Sequence, residues 1–142
     1  MFAPQRSMSS IFAIAASGMA AASRRLEVSA SNIANMSDTG PLPGTSTPNA
    51  AAYPAAYAPK RLDQIDVAGG TAAMVTTVSP SYVPSYDPGA PYADKNGMVA
   101  APNVDLANEI VQQITARYAF ALNAKVMQAG SDMMKALLDI KT

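Results

Sequence analysis

The last third of the chain has the spacing of one long amphipathic helix. Its apolar residues recur at steps of three and four, a mean close to one helical turn. This stripe comprises Val111, Ile114, Tyr118, Leu122, Val126, Ala129, Met133, Leu137 and Ile140. A helix from Val104 to Ile140 is about 55 Å long, whereas a compact globule of this length is roughly 40 Å across. The pattern therefore predicts an elongated molecule whose stripe needs a partner, such as a second copy of the chain.

A shorter helix is predicted at the other end, over residues 8–35. Its stripe has the same steps of three and four and comprises Ile11, Ala15, Gly18, Ala22, Leu26, Ser29 and Ile33. Paired with the long helix, its roughly 25 residues leave about 17 Å of the longer stripe uncovered. An uncovered apolar seam of that size is typical of an association site. The alternative is that the middle of the chain folds back over it.

Two glycines lie inside these predicted helices, Gly18 and Gly130. Each costs about 1 kcal/mol relative to alanine in a helix interior. The sequence is compatible with simple tolerance of that cost or with a close helix crossing.

The amino terminus has features of a secretory signal, since Arg6 precedes an apolar run and Ala20-Ala21-Ala22 could be a cleavage site. However, the first stripe continues in register past that site, which favours a helix that is retained. No apolar run approaches the length of a membrane span.

The middle of the chain holds ten of the eleven prolines and six of the eight glycines, all between Met36 and Asn103. This composition disfavours long helices. A β-hairpin is predicted at about 57–79 around Gly69-Gly70, with a mobile, partly disordered segment over 37–59 and a loop over 82–103 that leads into the long helix. The predicted organisation is thus an extension at 1–7, a helix at 8–35, an insert at 36–103 and a helix at 104–142. The predicted fold class is mainly α: an elongated helical bundle with a small proline-rich insert that contains the hairpin.

Composition disfavours several functions. Ten basic and ten acidic residues give no net charge, which argues against nucleic acid or an anionic membrane as the main partner. The chain has neither cysteine nor histidine, so thiol chemistry is excluded and the commonest general base and metal ligand are missing. Asp94-Lys95-Asn96-Gly97 faintly resembles the start of a calcium loop but lacks the remaining ligands, which favours a plain turn. We predict no catalytic, cofactor or metal site.

The segment from Tyr86 to Val104 carries two turn sequences, Asp-Pro-Gly and Lys-Asn-Gly. Beyond them, Asn103 or Asp105 can cap the long helix. The segment is predicted to lead the chain along a fixed path onto the start of that helix.

Two motifs resemble those of a known family. Ser31-Asn32-Ile33-Ala34-Asn35 is similar to an element that flagellar rod and hook axial proteins share near their amino termini. The run from Tyr86 to Val104 resembles the signature of the proximal rod members of that family. The matching positions are Asn32, Ala34, Asn35, Tyr86, Asp87, Pro88, Asp94, Gly97, Pro102 and Asn103. The chain departs from the signature at Ala90 and Met98, where histidine and tyrosine are usual, and residues 1–7 look like an extension ahead of Met8.

The resemblance implies a structural, non-enzymatic subunit of the flagellar basal-body rod, within the periplasm, that functions in motility. Members pair their terminal helices as a coiled coil, polymerise into a hollow drive shaft, and are exported unfolded by a type III apparatus without a cleaved signal. The implied partners are other copies of the chain, neighbouring rod proteins, the membrane-ring base and the export apparatus. The alternatives are a sibling axial protein of the same rod, or a secreted helical adapter that dimerises through the long helix.

Overall fold

A computed structural model describes residues 4–45 and 50–140 of the chain. The first helix, α1, spans Pro4–Ala34, and the last, α2, spans Leu106–Asp139. Between them lie a short 3₁₀ turn at Ala50–Ala52 and four strands. The strands are β1 (Lys60–Val67), β2 (Gly70–Thr77), β3 (Tyr82–Tyr86) and β4 (Met98–Pro102). The helix α1 begins within the predicted extension, whose residues 1–3 lie outside the described part.

The predicted mainly α class is wrong. The described residues form two α-helices and two antiparallel two-stranded sheets, with about 49% helix and 21% strand, which is a mixed α/β fold. The sheets are β1–β2 and β3–β4. The prediction failed because the second sheet lies where turn sequences and prolines indicated only a loop leading into the long helix.

The prolines of this second sheet fit its hydrogen-bonding pattern. Pro84 of β3 lies opposite Ala100 of β4, and both backbone groups of Ala100 bond instead to Gly40 on the other side. The pair is therefore a non-hydrogen-bonded one, in which Pro84 has no N–H to supply. The same alternation places Pro102, opposite Tyr82, at a non-hydrogen-bonded position. The two prolines that disfavoured a strand prediction therefore remove no hydrogen bond between β3 and β4.

The chain divides into two compact units. The first contains α1 up to Glu27, the tip of the first hairpin from Leu62 to Met74, and α2 from Val111 onward. The hairpin turns at Ala68-Gly69, where Gly69 has a φ of 92° that suits glycine. The tip lies on α1, where the Thr71 backbone N–H donates to Ser17 Oγ over 3.1 Å.

The two helices of the first unit run antiparallel in close contact. A Cβ on Gly18 would lie 2.6 Å from Oδ1 of Asn123, and a Cβ on Gly130 would lie 3.3 Å from the Phe12 ring. Both glycines therefore lie at close approaches of α1 and α2. Of the two interpretations that the sequence left open, the structure favours the close crossing.

The second unit contains the end of α1 from Val28, residues 35–61, the β3–β4 sheet and the start of α2 up to Ile110. The segment predicted to be mobile is attached to this sheet, since Gly40 exchanges two backbone hydrogen bonds with Ala100, at 2.9 and 3.0 Å. Residues 46–49 of that segment lie outside the described residues. Val99 and Ala100 of β4 are buried.

The apolar core is built from small side chains. Among the described residues, the buried hydrophobic ones are Ala15, Ala21, Ala22, Val28, Val99, Ala100 and Ala116. The large apolar side chains are instead concentrated among the exposed residues, above all on α2. Since burial of an apolar side chain contributes in proportion to its area, a core of alanine and valine contributes little to folding.

Candidate assembly surface

The predicted stripe of α2 is exposed along its whole length. We call its nine residues the apolar stripe: Val111, Ile114, Tyr118, Leu122, Val126, Ala129, Met133, Leu137 and Ile140. All nine are exposed, and the eight larger ones have exposed fractions of 48–82%. The alternative, that the middle of the chain covers the stripe, is therefore wrong for this structure.

The face of α2 that packs inside the chain is a different one. Ala116 and Gly130 are buried on it, and Gln112 and Asn123 are half-buried there. At 100° per residue this face lies about 100° around the helix from the centre of the apolar stripe. Small and polar residues thus make the internal contact, while the bulky stripe residues lie to one side of it.

Charged residues occupy the remaining side of α2. Counted at the same angle per residue, they centre about 100° from the middle of the apolar stripe, with Lys125 and Asp132 at the border beside Ile114, and we call this side the charged flank. Its charged members are Arg117, Lys125, Asp132, Lys135 and Asp139. Lys135 and Asp132 approach to 3.8 Å, and Lys125 donates to Gln128 over 3.3 Å. The exposed surface of α2 is therefore divided between an uncharged side and a charged one.

The predicted stripe of α1 has a different environment. Ala15 and Ala22 are buried, and Ile11, Gly18 and Ile33 are half-buried. Leu26 is exposed, at 38%. Most of the α1 stripe is therefore used within the chain, whereas the α2 stripe is not.

Sequence reasoning missed the outward face of α1. We call it the alanine face, and it comprises Ala13, Ala16, Ala20, Ser23, Ala30 and Ala34, all exposed. Glu27 is the charged residue in this row and forms a salt bridge of 2.7 Å with Arg24. The same count in steps of three and four reveals the face, but it contains no large apolar residue that would mark it as a stripe.

The amino-terminal motif forms a buried polar cluster in the second unit. Asn32 is 1% exposed. Its Nδ2 donates to the Lys60 carbonyl over 2.6 Å and to Glu109 Oε1 over 2.7 Å. Its Oδ1 accepts from the Lys60 N–H at 2.9 Å and from the Tyr57 hydroxyl at 3.0 Å. One side chain thereby joins the end of α1 to β1, to α2 and to the segment between.

The neighbours of Asn32 complete this cluster. The hydroxyl of Ser29 donates to the Glu109 carbonyl over 2.9 Å, and Ser31 Oγ lies 3.1 Å from the Tyr57 hydroxyl. Asn35 instead closes its own helix end, since its Nδ2 donates to the Ser31 carbonyl over 2.8 Å. Ala34 ends α1 and is exposed. The motif is therefore a joint that fixes the end of α1.

The carboxy-terminal signature is the connection between β3 and β4. Asp94 Oδ1 accepts the backbone N–H groups of Asn96 and Met98, at 2.8 and 2.9 Å, as expected of a turn. Gly97 has a φ of 73°, and a Cβ there would lie 2.9 Å from the Tyr86 ring and 3.0 Å from Pro88. Only glycine suits both constraints.

The flanks of the signature hold the loop closed. The Asp87 N–H donates to the Gly97 carbonyl over 2.9 Å, and Asp87 Oδ1 accepts the Gly89 N–H at 3.2 Å. Ala90 and Met98, which depart from the signature, use backbone N–H groups in this loop. These two backbone contacts do not depend on the side chain present.

The start of α2 follows directly. Asp105 Oδ1 accepts the N–H groups of Ala107 and Asn108, at 2.9 and 3.2 Å, which makes Asp105 the N-cap. Asn103 instead donates its Nδ2 to the Pro80 carbonyl over 2.9 Å.

The described residues include no group of three or more histidine, cysteine, aspartate or glutamate side chains placed to hold a metal ion. Neither α1 nor α2, over the part described, combines the length and apolar character that crossing a bilayer demands.

Comparison with known proteins agrees with the two motifs. Residues 12–41 match the family described as flagella basal body rod protein, and residues 95–140 match the flagellar basal body rod FlgEFG protein C-terminal family. The flagellar basal-body rod protein FlgC of Salmonella typhimurium is 38% identical over 137 residues, covering 92% of this chain and 95% of the relative. FlgC of Escherichia coli O6:H1 is 36% identical with the same coverage. FlgC of Yersinia enterocolitica is 34% identical, covering 94% of this chain and 98% of the relative.

Proposed function

Because this chain belongs to the FlgC family of flagellar basal-body rod proteins, we propose that it joins the rod through the apolar stripe of α2. The chain is a structural subunit of the basal-body rod, and other rod components are its neighbours. In this proposal the stripe is the surface that neighbouring subunits cover. The observation that carries it is the exposure of all nine stripe residues in the single chain.

The apolar core of the described residues is built from small side chains. A chain whose buried apolar residues are alanine and valine gains little from folding alone. Long helices without tertiary cover are only marginally stable in water. Contact with neighbouring subunits would bury the exposed apolar side chains of α2. The stability of α2 would therefore depend on incorporation into the rod.

We also propose that the chain travels through the flagellar type III export apparatus and keeps its amino terminus. Ala21 and Ala22, at the would-be cleavage site, are buried in α1, and Ala15 ahead of them is buried too. Cleavage there would remove the part of α1 whose Gly18 packs on Asn123. The intact mass of the chain from purified basal bodies tests this, and a mass lacking about the first 22 residues would contradict it.

A catalytic role is not part of the proposal. The family is one of structural proteins, and the functions proposed for the chain's motifs are all structural: a joint at Asn32, a turn at Asp94 and a cap at Asp105.

Insertion of one charge into the stripe tests the assembly surface. Leu122 is 67% exposed in the free chain, so Leu122→Asp should change the stability of the free chain by no more than about 0.5 kcal/mol. In an assembled rod the same carboxylate would be buried without a partner, at a cost of several kcal/mol. We expect loss of swimming in soft agar by a deletion strain that carries this variant, while the exported chain remains detectable.

The matched control is Gln128→Asp, which adds the same charge to the charged flank of α2, where Gln128 is exposed. We expect it to leave swimming much closer to the wild type. Wild-type swimming by the Leu122→Asp strain would overturn the proposal.

A further inference from the structure

The exposed faces of the two helices in the first unit differ in the size of their side chains. The apolar stripe of α2 consists almost entirely of large side chains, and the alanine face of α1 consists of small ones. Neither face is the inward face of its helix, because the inward faces are those that bury Ala15 and Ala22 on α1 and Ala116 and Gly130 on α2. The two faces are therefore separate surfaces of the helix pair, and neither is used in the internal contact.

We propose that the alanine face of α1 receives the apolar stripe of α2 from a second copy of this chain. This inference rests on the proposed function and names the surface that the stripe meets. The occupant is one helix of an identical chain.

Shape supports this pairing. Both faces recur in steps of three and four along their helices, so the ridges of one can pack into the grooves of the other. Large residues interdigitate best with small ones across a contact. A stripe meeting its own copy would instead place bulky residues against bulky residues, as Leu122 against Tyr118 or Val126.

Charge supports it as well. The stripe holds no ionised side chain, so its partner must be nearly uncharged to avoid burying a charge without compensation. Along the alanine face the charged residue is Glu27, which is already paired with Arg24. The charged flank of α2 would be a poor partner by the same criterion.

The area is adequate for a stable contact. From their exposed fractions, the eight large stripe residues expose on the order of 1,000 Å², compared with about 800 Å² per partner in a typical specific interface. A patch of that size is larger than the apolar patches usual on monomers.

The consequence concerns how copies add to one another. A contact between two different faces of the same chain is heterologous, so each added copy presents the same free face for the next. A symmetric stripe-to-stripe contact would close a dimer and stop growth. The proposed pairing therefore suits a rod.

Cysteine cross-linking tests the proposal, and the chain has no native cysteine to interfere. The variant carries Ala20→Cys on the alanine face and Leu122→Cys on the stripe, and basal bodies from swimming cells are treated with a short flexible bismaleimide. Because the proposed contact joins these two positions on different copies, we expect products between copies: a ladder of dimers, trimers and larger species. Swimming shows that the variant is incorporated.

Controls separate the outcomes. Each single variant, and Ala20→Cys combined with Gln128→Cys on the charged flank, should give at least tenfold less product between copies. Two results would overturn this inference and leave the proposed function standing: bismaleimide dimers from Leu122→Cys alone, or, with a maleimide photo-cross-linker attached to Leu122→Cys, adducts only to other rod proteins. Absence of any copy-to-copy product from both this pair and Ala16→Cys with Val126→Cys also overturns it. The proposed function itself fails on the separate Leu122→Asp swimming test.

Discussion

The buried side chain of Asn32 gives the sharpest prediction about stability. Replacement by alanine removes four hydrogen bonds of 2.6–3.0 Å. The backbone groups of Lys60 and the Glu109 carboxylate lose these partners, while the Tyr57 hydroxyl keeps its contact with Ser31. Three neutral bonds at about 1 kcal/mol each and one to a carboxylate at about 2 give a total near 5 kcal/mol. Water entering the vacated space recovers part of this, so we expect a loss of about 4 kcal/mol in the free energy of unfolding of the second unit.

The assay is urea unfolding followed by tyrosine fluorescence. Tyr53, Tyr57, Tyr82, Tyr86 and Tyr92 all lie in the second unit, and the chain has no tryptophan. With an urea dependence of about 2 kcal/mol per M, Asn32→Ala should lower the midpoint by about 2 M.

Two milder variants keep this test informative if Asn32→Ala does not fold. Tyr57→Phe removes the hydroxyl that donates to Asn32, at a cost of about 1 kcal/mol. Asn35→Ala is the matched control, since Asn35 makes a local bond to Ser31 at the helix end, and it should cost no more than about 1 kcal/mol. An Asn32→Ala cost no greater than that of Asn35→Ala would refute the reasoning.

Two further substitutions test local features, both by thermal unfolding. Gly97→Ala should lower the free energy of unfolding by about 1–3 kcal/mol, because it combines a left-handed backbone with a contact to the Tyr86 ring. Gly89→Ala is the control in the same loop, and it should be close to neutral because its nearest neighbour lies at 3.5 Å. Equal losses of stability would contradict this account of the loop. Asp105→Ala should lower the free energy of unfolding by about 1 kcal/mol through loss of the helix cap. Asp132→Ala on the charged flank should lower it by less than about 0.5 kcal/mol. The opposite order would contradict the assignment of the cap.

Periodicity alone predicted the parts of the structure that depend on local sequence. The steps of three and four located both helices and the stripe that the structure leaves exposed on α2. The turn residues of the signature likewise indicated a loop, predicted over 82–103, of which the part between Tyr86 and Met98 is the connection of β3 to β4. These features follow from neighbours along the chain, which a pattern can capture.

The features that sequence reasoning missed depend on residues far apart. The partners of Asn32 lie 25 to 77 positions away, so nothing near the motif indicated them. The strands β3 and β4 were missed because Pro84 and Pro102 are acceptable only at non-hydrogen-bonded positions, and register decides that. The same limit applies to α1, where packing on α2 selected which face turned inward.

The central claim is that the free chain leaves the stripe of α2 uncovered and that neighbours cover it in the rod. Maleimide labelling of Leu122→Cys, in dilute free chain and in intact basal bodies, tests this most directly. We expect rapid labelling of the free chain and at least tenfold slower labelling in basal bodies. Equal rates in the two states, or a free chain already protected, would contradict the account.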